Sequence, residues 1–151
     1  MRFSPWLLVC CAVALSAGCA HTPKPGSLEL LKPAAETFHQ RVRWKDFRGA
    51  AELLVPERRK AFEDARKRLN DDRDLQIMDY ELEDARLADR DRAVVVSRLS
   101  WSRLPSLTVN TDTVTSEFVW FNGTWFLARQ DAGPFARELE APYEPPAPQQ
   151  P

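Results

Sequence analysis

The chain has 151 residues, a formal net charge of −1, and 44% hydrophobic and 28% charged residues, which is typical of one folded domain. Aromatic residues make up 10% of the chain, which argues against a largely disordered protein. Because the chain is nearly neutral, it has no overall basic field for nucleic-acid binding through phosphate neutralisation.

The positions of the cysteines and the number of histidines argue against a disulfide-stabilised domain and against a zinc or redox-metal protein. All three cysteines, at positions 10, 11 and 19, lie near the start of the chain, so we expect no disulfide in the folded part. The two histidines, His21 and His39, are too few to complete a zinc or redox-metal site. We therefore expect no metal and no cofactor.

The chain begins with a short apolar segment that ends in small residues. The stretch from Trp6 to Ala17 is shorter than the roughly 20 residues of a membrane-spanning helix and has the length of a signal-peptide core. The run from Leu15 through Gly18 to Cys19 resembles a bacterial lipobox, whose cysteine receives a diacylglyceryl group before cleavage. An ordinary secretory signal peptide is the alternative.

The lipobox resemblance implies how the protein is attached and where. Residues 1–18 would be a lipoprotein signal peptide, and acylation of Cys19 would hold the mature chain stably on a membrane without spanning it. In lipoproteins of this kind an Asp after the cysteine is associated with the inner membrane. Ala20 takes that position here, which implies the periplasmic face of the outer membrane in a Gram-negative cell envelope.

Two segments rich in proline and small polar residues flank the predicted domain at 33–131. We expect residues 19–32 to be the lipidated cysteine and a tether. Residues 132–151 read as a Pro-rich tail, largely disordered, with a docking peptide as the alternative.

Helical patterns fill the first part of the domain. Pro33 suits the first position of a helix whose apolar stripe includes Phe38 and Val42. Asp46 can cap a short second helix, and Pro56 starts a third.

From Leu75 onward the apolar period becomes two, which predicts strands. The first strand slips phase near residues 83–84, and this slip indicates a bulge. The remaining predicted strands are 93–101, 107–121 and 124–130.

The turn Asn122-Gly123 predicts a tight hairpin that places Trp120 opposite Trp125. We expect the Trp face to be buried against the helices. Val119, Phe121 and Phe126 then form an apolar patch on the opposite face.

An exposed patch of this kind usually marks an interaction site. A second copy of the chain is one candidate partner, and an envelope protein is another. The alternative is that the tail, through Phe135 and Leu139, folds back over the patch.

Three helices followed by four antiparallel strands, with a closing strand that reads NGTWFL from Asn122 to Leu127, resemble the nuclear transport factor 2-like superfamily. The resemblance implies an α+β cone, with three N-terminal helices packed on a curved four-stranded antiparallel sheet. Members include ketosteroid isomerase-like and polyketide cyclase-like enzymes, noncatalytic ligand binders and accessory envelope proteins, so the fold does not select a function.

We expect a noncatalytic, membrane-anchored envelope module that binds a protein partner or a small apolar ligand. One alternative is an isomerase-like or cyclase-like enzyme that uses the cone, and another is a structural subunit of an envelope assembly. The weak catalytic candidates are His39, Asp79 and Tyr80, with Asp112 and Glu117 of the third strand also considered. Because a helix turns about 100° per residue, His39 is expected to point away from the Phe38 stripe.

Overall fold

The computed structural model describes residue 24 and residues 26–144. Within these residues four helices precede the sheet, one more than the three predicted because an additional short helix leads into the first strand, and one short helix follows the sheet. The elements in chain order are α1 (Leu28–Arg43), α2 (Phe47–Glu52), α3 (Pro56–Arg68), α4 (Asp71–Asp74), β1 (Leu75–Leu87), β2 (Arg92–Arg103), β3 (Asn110–Phe121), β4 (Thr124–Gln130) and α5 (Ala136–Leu139).

Helix α1 begins earlier than the sequence pattern predicted, so residues 28–32 of the expected tether are helical. Pro33 lies inside the helix and does not start it. Leu31 is fully buried, on the same stripe as Ala35 and Phe38. Burial of a leucine contributes about 1.5–3 kcal/mol, which offsets much of the roughly 3 kcal/mol cost of an internal proline.

The next two helices begin where the sequence indicates. The Asp46 carboxylate accepts a hydrogen bond of 2.9 Å from the Gly49 amide and so caps α2. Pro56 occupies the first turn of α3, where its missing N–H leaves no helical hydrogen bond unmade.

The four strands form one antiparallel sheet in the order β1-β2-β3-β4, which confirms the predicted α+β fold class. The bulge expected near residues 83–84 is present between Leu82 and Asp84, and a second bulge lies between Ile77 and Asp79. Strand β3 begins at Asn110, later than predicted. Leu107 belongs to an exposed loop and is 86% exposed.

The β3–β4 hairpin has the predicted turn and register. Asn122 and Gly123 have φ angles of 50° and 80°, as a type I′ turn requires. Trp120 lies opposite Trp125, with ring centroids 5.4 Å apart. The free edge of β4 is covered by the α2–α3 connection, where the amide of Val55 donates to the carbonyl of Leu127.

The Trp face of this hairpin is buried unevenly. Trp125 is 1% exposed, as predicted, and its indole nitrogen donates to the carbonyl of Ser27. Trp120 is only half-buried and packs beside Gly26, at the start of the described chain.

The packed part of the chain continues past residue 131, where the sequence analysis ended the domain. Phe135 and Leu139 are fully buried, so at least residues 132–139 of the expected tail belong to the fold. The physical reason is that burial of the two large apolar side chains of Phe135 and Leu139 in the core stabilises this segment against the rest of the domain. Cys19 and the lipobox lie outside the described residues, and no described helix is long and apolar enough to cross a membrane.

Candidate functional site

The interior of the cone, between the helices and the sheet, is filled by aromatic side chains. Phe38, Phe62 and Phe135 are fully buried, and their ring centroids lie 5.4–6.2 Å apart in pairs. Trp125 and Leu127 complete the packing from the hairpin. Phe135 comes from the segment that the sequence analysis assigned to the tail, so this part of the cone is closed by a residue distant in sequence.

Next to this aromatic cluster lies a buried ion network that the sequence analysis missed. Arg66 pairs with Asp71 and with Glu138, each at 2.8 Å. Its guanidinium also lies over the rings of Phe62 and Phe135, at 5.0 and 4.8 Å. Arg66 follows Phe62 by four residues on α3, so the helical stripe was the available signal for its burial.

Asp71 accepts a second arginine, because Arg103 Nε lies 2.9 Å from its other oxygen. Burial lowers the pKa of Arg66, against the opposing effect of Glu138 and Asp71. Both buried carboxylates are therefore neutralised by fixed cations. Each carboxylate is thus held in an ion pair and is not directed at an open space where a substrate could bind.

His39 is buried, at 3% exposure, which corrects the expectation that it points away from the core. Its ring stacks on Tyr80 of β1, with centroids 3.7 Å apart and planes inclined by 16°. The apolar arc of α1 is wider than the Phe38 stripe because the helix also packs against β1. Burial lowers the pKa of His39 to about 3, so the imidazole is neutral at physiological pH.

Tyr80 completes a small polar cluster with His39 and Ser97. Burial first, and then the Glu36 carboxylate, raise the pKa of Tyr80 to about 12. His39 Nδ1, Tyr80 Oη and Ser97 Oγ are buried, and none has a hydrogen-bond partner among the described residues. The structure thus brings together two of the three weak catalytic candidates.

The cluster borders a shallow groove of about 300 Å³ between α1 and β1, here called the α1–β1 groove. Its exposed wall is Trp44, at 76% exposure. Its lining residues are Glu36, His39, Gln40, Arg43, Trp44 and Tyr80. The groove combines aromatic rings with one acidic and one basic side chain.

The other acidic candidates do not reach this cluster. Asp79 is exposed. Asp112 accepts from the Trp101 indole at 2.7 Å, and Glu117 pairs with Arg129 at 2.7 Å. Among residues 26–144, no group of three or more potential ligand side chains could hold a metal ion.

The predicted interaction patch lies on the other face of the hairpin and is partly covered by the chain itself. Phe121 and Phe126 stack with centroids 4.4 Å apart, and Val119 is 8% exposed. Tyr143 packs against this cluster. The segment after residue 131 does fold back onto the patch, as the alternative held, but the residue that covers the patch is Tyr143. Phe135 and Leu139, which were expected to cover it, pack inside the cone.

Beside the patch a groove of about 370 Å³ remains open, here called the hairpin groove. Its lining combines apolar and aromatic side chains with three charged ones. The lining residues are Pro56, Glu57, Asp91, Arg92, Val119, Trp120, Phe121 and Tyr143.

No family model and no curated protein matches the chain. Among solved structures, it is similar to a ketosteroid isomerase-like protein from Erwinia carotovora atroseptica, with 15% identity and a TM-score of 0.53 over 68% of this chain and 92% of that one. It is also similar to a SEC-C motif containing protein from Rhodopseudomonas palustris, with 19% identity and a TM-score of 0.51 over 76% and 84% of the two chains.

A third similar structure is a Catenulispora acidiphila protein in complex with S-DNPA, with 12% identity and a TM-score of 0.53 over 68% of this chain and 88% of that one. At these identities the similarity shows the fold alone. The fold is the nuclear transport factor 2-like cone that the closing strand and the element order indicated.

Proposed function

We propose that this chain is a lipoprotein of the bacterial cell envelope, anchored through Cys19, whose cone domain acts by contact and not by catalysis. The observation that carries the noncatalytic part is the filled cone. Phe38, Phe62 and Phe135 occupy the space in which a substrate would be enclosed.

The charges in the core support the same conclusion. Catalysis by electrostatic preorganisation needs polar groups aimed at a space from which water is excluded. Here the buried carboxylates of Asp71 and Glu138 are aimed at Arg66 instead. Such a network rigidifies the core and holds both carboxylates in ion pairs, so neither is free to transfer a proton to a substrate.

The anchor is supported by the lipobox-like run that ends at Cys19, and the position of Gly26 indicates which end of the domain it would hold. Gly26 lies at the hairpin end of the domain, where an added Cβ would be 3.3 Å from the Arg90 carbonyl oxygen and 3.7 Å from Trp120. The residues between Cys19 and Gly26 can span at most about 25 Å. An acylated Cys19 would therefore keep the hairpin end near the membrane surface.

The test of the anchor is Cys19→Ala, with Cys11→Ala as the matched control from the apolar segment. We expect loss of the acyl adduct and release from the membrane fraction for Cys19→Ala only, by mass spectrometry of the N-terminal peptide and by fractionation. Unchanged membrane association of Cys19→Ala together with no lipid adduct on the unaltered protein would overturn the proposal. Release of the unaltered protein into the soluble fraction without an adduct would overturn it too, in favour of an ordinary secretory signal.

A second candidate function rests on the polar cluster beside the α1–β1 groove. The Tyr80 hydroxyl, with its pKa near 12, stays protonated, and it would donate to a substrate carbonyl oxygen only if the buried cluster opened towards the groove, where Glu36 would act as the base. This arrangement would suit proton abstraction next to a carbonyl, as in an isomerase-like or cyclase-like reaction.

The enzyme candidate is tested by adding β,γ-unsaturated ketones to the purified protein and following conjugation by absorbance. Turnover that is lost in Tyr80→Phe and Glu36→Gln, but kept in the exposed control Glu52→Gln, would establish catalysis and reject the noncatalytic reading. Absence of turnover above buffer, or turnover unaffected by both substitutions, would reject this site.

A further inference from the structure

The hairpin groove is lined on one side by aromatic rings. Trp120 and Phe121 of β3 and Tyr143 border it, and Pro56 at the start of α3 adds an apolar surface. A second depression, of about 210 Å³, lies on the outer face of the sheet and shares Arg92, Val119 and Tyr143 with the groove. Tyr143 therefore stands between two open apolar depressions.

Two arginine side chains hold the last described residues beside the hairpin groove. Arg58 donates to the carbonyl oxygens of Ala141 and Pro142, at 2.6 and 3.3 Å. Arg129 donates to the carbonyl of Glu140 at 2.8 Å. These three hydrogen bonds fix the backbone just before Tyr143, so the chain that follows starts at the groove.

The sequence that follows Tyr143 is rich in proline. It reads Glu144 and then PPAPQQP over residues 145–151, which lie outside the described part of the chain. Sequences of this kind favour the polyproline II conformation and lose little entropy on binding, and aromatic-lined grooves are the surfaces that recognise them. At about 3.1 Å per residue, this segment would reach roughly 22 Å.

We propose that residues 145–151 of the same chain bind in the hairpin groove, with their prolines packed on Trp120 and Phe121. Arg92 supplies the polar part of the recognition. Arg92 lines the groove beside Tyr143, and its guanidinium can donate to the carbonyl oxygens that a polyproline II segment leaves free. The proposal does not depend on the lipid anchor or on the absence of catalysis.

Covalent connection favours this occupant over a free peptide. A segment that starts at the edge of its site has an effective concentration in the millimolar range, so weak contacts are enough to keep it bound. A proline-rich partner would have to displace it.

The experiment compares three forms of the chain that begin at residue 20, because the described core lies within residues 26–144. The first ends at 151, the second ends at Glu144, and the third keeps its length but carries Ser in place of Pro145, Pro146 and Pro148. NMR spectra record the indole N–H resonance of Trp120, assigned by its loss in Trp120→Phe, while Trp125 is the internal reference.

We expect the Trp120 resonance to shift in the same direction in the truncated and the Ser-substituted forms, whereas that of Trp125 stays in place. Arg92→Ala in the full-length form should produce a partial shift of the same kind. A Trp120 resonance that is unchanged by truncation overturns the proposal. So does a truncation-sensitive resonance whose shift depends on protein concentration, with a dimer mass in light scattering, because the tail of a second copy would then be the occupant.

Discussion

The imidazole of His39 lies face to face with the phenol ring of Tyr80, with centroids 3.7 Å apart and planes 16° from parallel. This contact joins α1 to the edge strand β1. The His39 imidazole is buried there, and because burial lowers its pKa to about 3, the folded protein contains the neutral form. The stability of the fold is thereby coupled to pH.

The first prediction is that acidification destabilises the protein through His39. Its folded-state pKa of about 3 lies below the ordinary value of 6.5, so below pH 6.5 the unfolded chain binds a proton that the folded chain does not. The free energy of unfolding should fall as the pH decreases from 6.5 towards 3, by up to about 1.4 kcal/mol per pH unit. Urea denaturation between pH 7 and pH 5 measures this slope before most carboxylates titrate.

The control for this prediction is the other histidine. His39→Gln should abolish the slope between pH 7 and pH 5, whereas His21→Gln should keep it. A slope that survives in His39→Gln would show that another group is responsible.

The second prediction concerns the buried ion network. Asp71→Asn leaves the partly exposed Arg103 without its carboxylate partner and the buried Arg66 with Glu138 as its one remaining ion-pair partner. Breaking a buried pair by removal of one partner costs about 3–5 kcal/mol. The neighbouring Asp72→Asn, at an exposed position, should have little effect in the same denaturation experiment, and equal effects of both substitutions would contradict the network.

The third prediction separates the two indoles of the hairpin. Trp125 is 1% exposed and hydrogen-bonded to Ser27, so Trp125→Ala should cost about 3–5 kcal/mol of unfolding free energy. Trp120 is half-buried, and Trp120→Ala should cost about 1–2 kcal/mol because less apolar area is lost. Equal losses in thermal or chemical denaturation would mean that Trp120 is as buried as Trp125.

The fourth prediction is that one substitution opens the cone. Phe135→Ala removes a fully buried ring that contacts Phe38 and Phe62, and it should cost about 3–5 kcal/mol. An apolar cavity of this kind stays dry and can take up benzene or xenon. We expect benzene to raise the melting temperature of Phe135→Ala but not of the unaltered protein or of the half-buried control Phe126→Ala, and no difference between the three would contradict a filled cone.

The sequence was sufficient for features whose causes lie within a few residues. The Asn122-Gly123 turn sets the register that places Trp120 opposite Trp125. Asp46 caps α2, and the change of apolar phase marks the bulge between Leu82 and Asp84. Each of these depends on local backbone geometry, so the pattern along the chain determines it.

Only the tertiary structure decided what the core contains. His39 is buried because β1 packs beside α1, and Arg66 is buried because Asp71 and Glu138 meet it from two other elements. Phe135 enters the cone from a segment whose composition indicated a tail. Each of these residues has at least one partner distant in sequence, Tyr80 for His39, Glu138 for Arg66 and Phe38 for Phe135. The local pattern does not name those partners, so only the assembled core shows why these side chains are buried.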